Sequence, residues 1–207
     1  MQPIRTGRCY RGVMDADAAL AGRLAEDLDG TFEALVLAHQ DRLYSIALRI
    51  VGAPADAEEL AQDAFVRAHR AMAGYPAERI ATLRLRPWLA AIVVNLARNR
   101  ARRRTLPTGQ QGAHEPADER ADRPEARHDR AEATRGWARR LAALPPTYRA
   151  AVVLRHVDGL SYEEMSDALG RPEGTVKAQV HRGLRLLRAA LEIEAAAERR
   201  HAEEMTA

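Results

Sequence analysis

The 207-residue chain has a single cysteine, Cys9, so it cannot close an internal disulfide or build a cysteine-rich metal site. That scarcity fits a reducing, cytoplasmic setting. Aromatic residues make up only 4% of the sequence, and β-branched runs are short and few. Ala, Leu, Arg and Glu dominate instead, a balance that favours helix over sheet. The longest apolar stretch, Trp88 to Val94, is far shorter than the roughly 20 residues a membrane-spanning helix needs. Arg5, Arg8 and Arg11 lead into no apolar segment, so the N-terminus does not read as a secretory signal. Residues 1–13 show no periodicity, and Met14 is an alternative start. No glycine-rich phosphate loop, nucleophile–base set or metal cluster is present, which argues against an enzyme, a cofactor or a small-molecule substrate.

Net charge is also small, +3, but it is unevenly placed. Residues 83–104 carry Arg84, Arg86, Arg98, Arg100, Arg102, Arg103 and Arg104 and no acid. Residues 54–63 carry Asp56, Glu58, Glu59 and Asp63 and no base. One basic and one acidic surface on the same chain suit two unlike partners. Acids in the first turns of a helix also favour its dipole, so their position alone is not decisive.

Apolar spacing predicts a helix over 31–51 with Thr31 as N-cap, ended by Gly52 and Pro54. A second helix is expected from about Ala55 to Ala73, stopped by Gly74 and followed by a loop from Tyr75 to Arg86. Pro87 then suits the first turn of a third helix, from Trp88 to about Arg104. Beyond Leu106, prolines and glycines lie among mixed charges with almost no large apolar residue, the mark of a flexible linker. Helical spacing resumes at Trp137, breaks at Pro145 and Pro146, and predicts helices near 147–156, 161–168 and 172–191.

The expected fold is therefore all-α, two small helical domains joined by a flexible linker, the second a helix-turn-helix. The expected boundaries are an N-terminal extension at 1–30, partly disordered, a first domain at 31–105 and a linker at 106–131. A second domain follows at 132–192, with a C-terminal tail at 193–207. In the second domain Ser161 and Glu164 form a capping-box pair, Gly170 makes the turn and Pro172 opens the next helix. Val176, Val180, Leu184 and Leu187 line one side of that helix, while Lys177, His181, Arg182 and Arg185 lie away from it. A basic face held by a short turn suits entry into a DNA major groove. The first-turn amides around Glu173, Gly174 and Thr175 can hold a phosphate. A helical hairpin with a merely solvated basic face has the same spacing.

The segment LPPTYRAAVVLRHVDGLSYEEMSDALGRPEGTVKAQVHRGLRLLR, Leu144 to Arg188, resembles region four of extracytoplasmic-function (ECF) sigma factors. ADAEELAQDAFVRAHRAM and WLAAIVVNLARNRARRR resemble the acidic and promoter-reading helices of region two. The resemblance implies a factor that binds core RNA polymerase, through the largest-subunit clamp and the flap, and promoter DNA. An anti-sigma factor is a further implied partner. Asp56, Glu59, Gln62 and Asp63 fall where the family docks on the clamp. Trp88 and Asn95 fall where it supports and captures a flipped minus-ten base, with Arg98, Asn99, Arg102 and Arg103 alongside. Arg171, Thr175, Lys177, Ala178, Gln179, His181 and Arg182 fall on minus-thirty-five positions. The chain departs from the family pattern at Ala90 and Ala91, at Ala178 and Gln179, and in a longer Tyr75–Arg86 loop. The other reading is a helix-turn-helix regulator that acts without polymerase. Such a regulator needs neither the acidic helix nor the separate arginine helix.

Overall fold

The computed structural model describes residues 7–105, 137 and 140–206. The described residues form eight helices with defined bounds, with further helical residues at 137 and 140–142 and no strand, the all-α class expected. In chain order these are α1 (Gly7–Glu26), α2 (Leu28–Val51), α3 (Pro54–Ala73), α4 (Ala77–Ala81) and α5 (Leu85–Thr105). The second helical region holds α6 (Pro146–His156), α7 (Tyr162–Leu169) and α8 (Glu173–Thr206). The expected linker at 106–131 lies outside the described residues.

Local chemistry sets the ends of α2. Its N-cap is Asp27, whose carboxylate accepts from the Gly30 amide at 2.9 Å. Thr31, the cap expected from sequence, is instead buried within the helix. At the other end Gly52 adopts φ 85°, the left-handed conformation that glycine enters without steric penalty, and its amide bonds Leu48 O. Pro54 then starts α3 at a position where a missing N–H costs nothing.

Leu35, Leu43 and Ile46 of α2 pack with Leu60, Phe65 and Met72 of α3 and with Leu89 and Val93 of α5. Two expectations need correcting here. Part of the expected 1–30 extension is the helix α1, which buries Leu20, Ala21 and Leu24 in this core. The expected Tyr75–Arg86 loop contains the short helix α4, anchored by buried Ile80, and α5 begins at Leu85, before Pro87.

In the second region the helix-turn-helix forms as the motifs predict. The Ser161 hydroxyl accepts from the Glu164 amide at 3.1 Å, and the Glu164 carboxylate accepts from the Ser161 amide at 2.7 Å. Gly170, at φ 60°, turns the chain out of α7. Val176, Val180 and Leu187 of α8 are buried against α6 and its run Ala150 to Leu154. The two helical regions expected are both present, and they also pack against each other. Their buried side chains form one continuous core, and Arg149 of α6 donates to the Ile50 carbonyl of α2 at 2.5 Å.

Helix α8 crosses α6 at Gly183. A Cβ there would stand 2.5 Å from Val152 Cγ2 and 3.2 Å from the Tyr148 carbonyl oxygen. Val152 has little rotamer freedom in a helix, so the helices must part. Gly183→Ala should lower stability by about 1–3 kcal/mol, more than its helix-propensity gain of up to ~1 kcal/mol. Gly174→Ala meets nothing within 4 Å and should be neutral or stabilising. Urea denaturation of the two variants beside the parent checks both signs.

Candidate polymerase and nucleic-acid interfaces

The start of α8 presents a compact, mostly basic surface. Thr175, Lys177, Ala178, His181 and Arg182 are exposed, and Arg171 is partly exposed in the preceding turn. That turn is braced by Ser166, whose hydroxyl donates to the Arg171 carbonyl at 2.7 Å. Gln179 departs from the expected set. It is 8% exposed, flanking the Val176–Val180 seam, so its amide is turned inward rather than toward a groove. Its Oε1 is buried without a protein hydrogen-bond partner.

Helix α5 offers a second surface. Asn95, Arg98, Asn99, Arg102 and Arg103 are all exposed. Arg98 donates to Asn95 Oδ1 at 3.4 Å, which orients the Asn95 amide. Trp88 is partly buried against the core, seven residues and so about two turns before Asn95, on the same face. It meets Tyr75 edge-on at 6.3 Å between ring centroids, and the Arg79 guanidinium lies 3.7 Å from the centre of the Tyr75 ring. This aromatic–cation stack was invisible in sequence because Tyr75 and Arg79 sit in a stretch read as loop.

The acids of α3 divide into two kinds. Gln62 and Asp63 are exposed, and Gln62 bonds back to Glu58 at 3.4 Å. Asp56 is 7% exposed and paired with Arg100 Nη2 at 2.5 Å. Arg100 Nη1 also holds Glu59 at 2.6 Å, although the Glu59 side chain remains largely in solvent. The Arg100 guanidinium is held above its ordinary pKa, first by the hydrogen bond to Glu59 and then, against the effect of burial, by the charges of Asp56, Glu59 and Asp63. The acidic and basic helices that look separate in sequence are thus tied together at Arg100.

An apolar groove of about 390 Å³ lies among Trp137, Leu141, Val152, Val157, Leu184 and Leu187, with Arg49 and His156 at its edge. Burial, aided by the neighbouring Arg155 charge, pushes His156 below the usual histidine range. Burial likewise lowers Arg49 and Arg149 from the usual arginine value.

Comparison with known proteins gives these surfaces a family. The model of sigma-70 region 2 matches residues 35–106, and that of sigma-70 region 4 matches residues 136–187. The ECF RNA polymerase sigma factor SigW of Bacillus subtilis (strain 168) is 30% identical over 166 residues, 76% of this chain and 87% of that protein. The chain is an ECF-type sigma factor of the sigma-70 family. The RNA polymerase sigma-E factor of Streptomyces avermitilis is 36% identical over 170 residues, 78% of this chain and 85% of that protein. SigE of Mycolicibacterium smegmatis is 35% identical, and there this sigma factor spans only 60% of the longer relative. The solved structure of CnrH with the cytosolic domain of CnrY superposes with a TM-score of 0.61 at 26% identity, covering 86% of this chain and 98% of that one. Like its family, this sigma factor binds core RNA polymerase and directs promoter recognition, and it is not an enzyme. Among the described residues no helix is long and apolar enough to cross a membrane.

The split among the α3 acids is measurable. Asp56→Asn removes a buried partner of Arg100 and should cost about 1.5–3 kcal/mol of stability. Asp63→Asn, fully on the surface, should stay within about 0.5 kcal/mol of the parent. Equal losses for both in urea denaturation would contradict the division.

Proposed function

We propose that this sigma factor reads the minus-ten element through α5 and the minus-thirty-five element through the first turns of α8. Its polymerase clamp contact then runs through the exposed acids of α3. The observation that carries this reading is the simultaneous exposure of two basic helix faces, one with Asn95, Arg98, Asn99, Arg102 and Arg103, the other with Thr175, Lys177, Ala178, His181 and Arg182. Within each face the roles differ. An exposed amide such as Asn95 can pair with the edge of an extruded base, and the partly buried Trp88 can wall it, because an unstacked base needs an apolar surface. Arg102 and Arg103, past the last packed turn of α5, suit backbone phosphates. Lys177 and Arg182 stand at the end of α8 that enters a groove in helix-turn-helix proteins.

Gln179 is left out of the reading set because it faces the interior, and Asp56 is left out of the clamp set because Arg100 already occupies it. Glu59, Gln62 and Asp63 remain for the clamp. The groove beside Trp137 has the apolar lining suited to a docking helix from the polymerase flap. An anti-sigma partner is proposed as well, supported by the likeness to CnrH bound to CnrY. A regulator acting without polymerase is disfavoured, since the match over residues 35–106 is to a sigma-70 region.

The decisive experiment is run-off transcription with core polymerase on genomic DNA, with the start sites sequenced. On a promoter found that way, Arg182→Ala should relax preference at one upstream position at a cost of roughly 1–3 kcal/mol. Arg103→Ala should weaken all promoters alike and lower the salt slope by about one unit. Asn95→Ala should leave upstream binding intact and reduce permanganate reactivity in the minus-ten region. Normal opening with Asn95→Ala would remove its base-capture role.

A further inference from the structure

The chain contains a single lysine, Lys177, and every other residue of its 32 Lys and Arg is arginine. The difference is chemical as well as electrostatic. A guanidinium keeps its proton throughout the physiological range and is no nucleophile, whereas a lysine amine freed of its proton attacks activated acyl groups. Lys177 is also well placed to meet a reagent. Val176 and Val180 are buried on α8 and turn the exposed Lys177 away from the packed face. Its neighbours one helical turn away, Glu173 and His181, are exposed too, and the adjacent Ala178 is small enough to screen little of it. Among the described residues no hydrogen bond or ion pair holds the Lys177 ammonium.

The surroundings favour an anionic reagent. Arg171 in the preceding turn and Arg182 further along α8 lie on either side of Lys177 in the chain, with Glu173 as the opposing acid. The other surfaces proposed to meet DNA and polymerase carry no such amine. Helix α5 presents Arg98, Arg102 and Arg103, and α3 presents Glu59, Gln62 and Asp63. A reagent selective for lysine therefore changes one of the three surfaces and leaves two as they were.

We propose that Lys177 is an acylation site through which reading of the minus-thirty-five element is turned down while core binding and minus-ten reading are kept. The proposal rests on the assignment of α8 to the minus-thirty-five element. The donor is a small activated acyl group, carried as an acyl phosphate or an acyl thioester. Solvent takes a proton from the ammonium, and the Nζ lone pair attacks the acyl carbon. As the C–N bond forms, the bond from that carbon to the phosphate oxygen or thioester sulfur breaks. Phosphate or thiolate leaves with the bonding pair, and the nitrogen gives up a further proton to solvent and ends as a neutral amide. The side chain has then lost its charge and most of its N–H donors, and has gained bulk where it must fit a groove.

The test treats the full-length protein with acetyl phosphate or, in a second arm, with the acetyl thioester of coenzyme A, and then assembles it with core polymerase. Peptide mass mapping should place an acetyl group on Lys177 and show loss of tryptic cleavage after it, and the arm that labels faster identifies the donor. On a promoter found by run-off transcription, holoenzyme binding should fall roughly 5- to 150-fold, the range of one lost base-edge contact. On the same promoter with its upstream element scrambled the loss should be much smaller, and titration of core should show unchanged sigma–core binding. Lys177→Arg should take up no acetyl group at that position, and its promoter binding should no longer respond to either donor. Lys177→Gln should bind like the acetylated protein without treatment. An unmodified Lys177 after both treatments, or an acetylated Lys177 with undiminished promoter binding, would overturn the proposal. Equal binding of untreated holoenzyme to the intact and scrambled promoters would instead remove the reading of α8 beneath it, and the proposal with it.

Discussion

A carboxylate almost wholly removed from water is tolerable only when its charge and its lone pairs are both answered, and Asp158 meets that condition through the two bonds from Arg42, with the Arg86 guanidinium close by. The relation between the two halves of the molecule depends on that pairing. Apolar contact contributes as well, since the buried side chains run continuously from one region to the other. Apolar contact is non-directional, however, and would accept several relative orientations. One arginine fork on the carboxylate, with a second arginine bonded to the same residue's carbonyl, is far more selective of orientation. Such a pair adds little net stability over a hydrophobic substitute, yet losing one partner is costly.

A second arginine, Arg100, organises the first region in a similar way. It lies on the helix proposed to face the promoter, but its guanidinium points back to Asp56 and Glu59 of α3. Tying the two helices together by their opposite charges fixes the direction of α5 and keeps its remaining arginines outward. The same bond removes Asp56 from the acid surface, so the patch proposed for the clamp is smaller than the run of acids in 54–63 suggests. A displacement of α3 on docking would be felt along α5, because the two helices share this charge pair as well as a packed core.

The features legible in the sequence were those whose causes are local. The capping box at Ser161 and Glu164, the turn at Gly170 and the Val176–Leu187 seam each depend on residues a few positions apart, and each formed as their spacing predicts. Features with distant causes were not legible. Arg42 and Asp158 are 116 positions apart, and no local pattern signals that they meet. Helix α1 was missed because it lies in an alanine-rich stretch with few large apolar letters; among its described side chains Leu20, Ala21 and Leu24 are the buried ones. Gln179 was misplaced for a related reason. It lies three residues after Val176, so the buried stripe of α8 is one residue wider than its apolar letters show.

Together these contacts grade the molecule by how reversibly its parts are joined. Within the second region α8 sits so close to α6 that Gly183 has no room for a methyl group, and the reading helix moves only with its whole body. Within the first region α2, α3 and α5 share a close-packed apolar core, which is equally intolerant of partial separation. Between the regions the directional contacts are ion pairs and hydrogen bonds to backbone carbonyls, which water or a charged partner can replace group by group. Each surface proposed to read DNA is thereby held rigid within its own region.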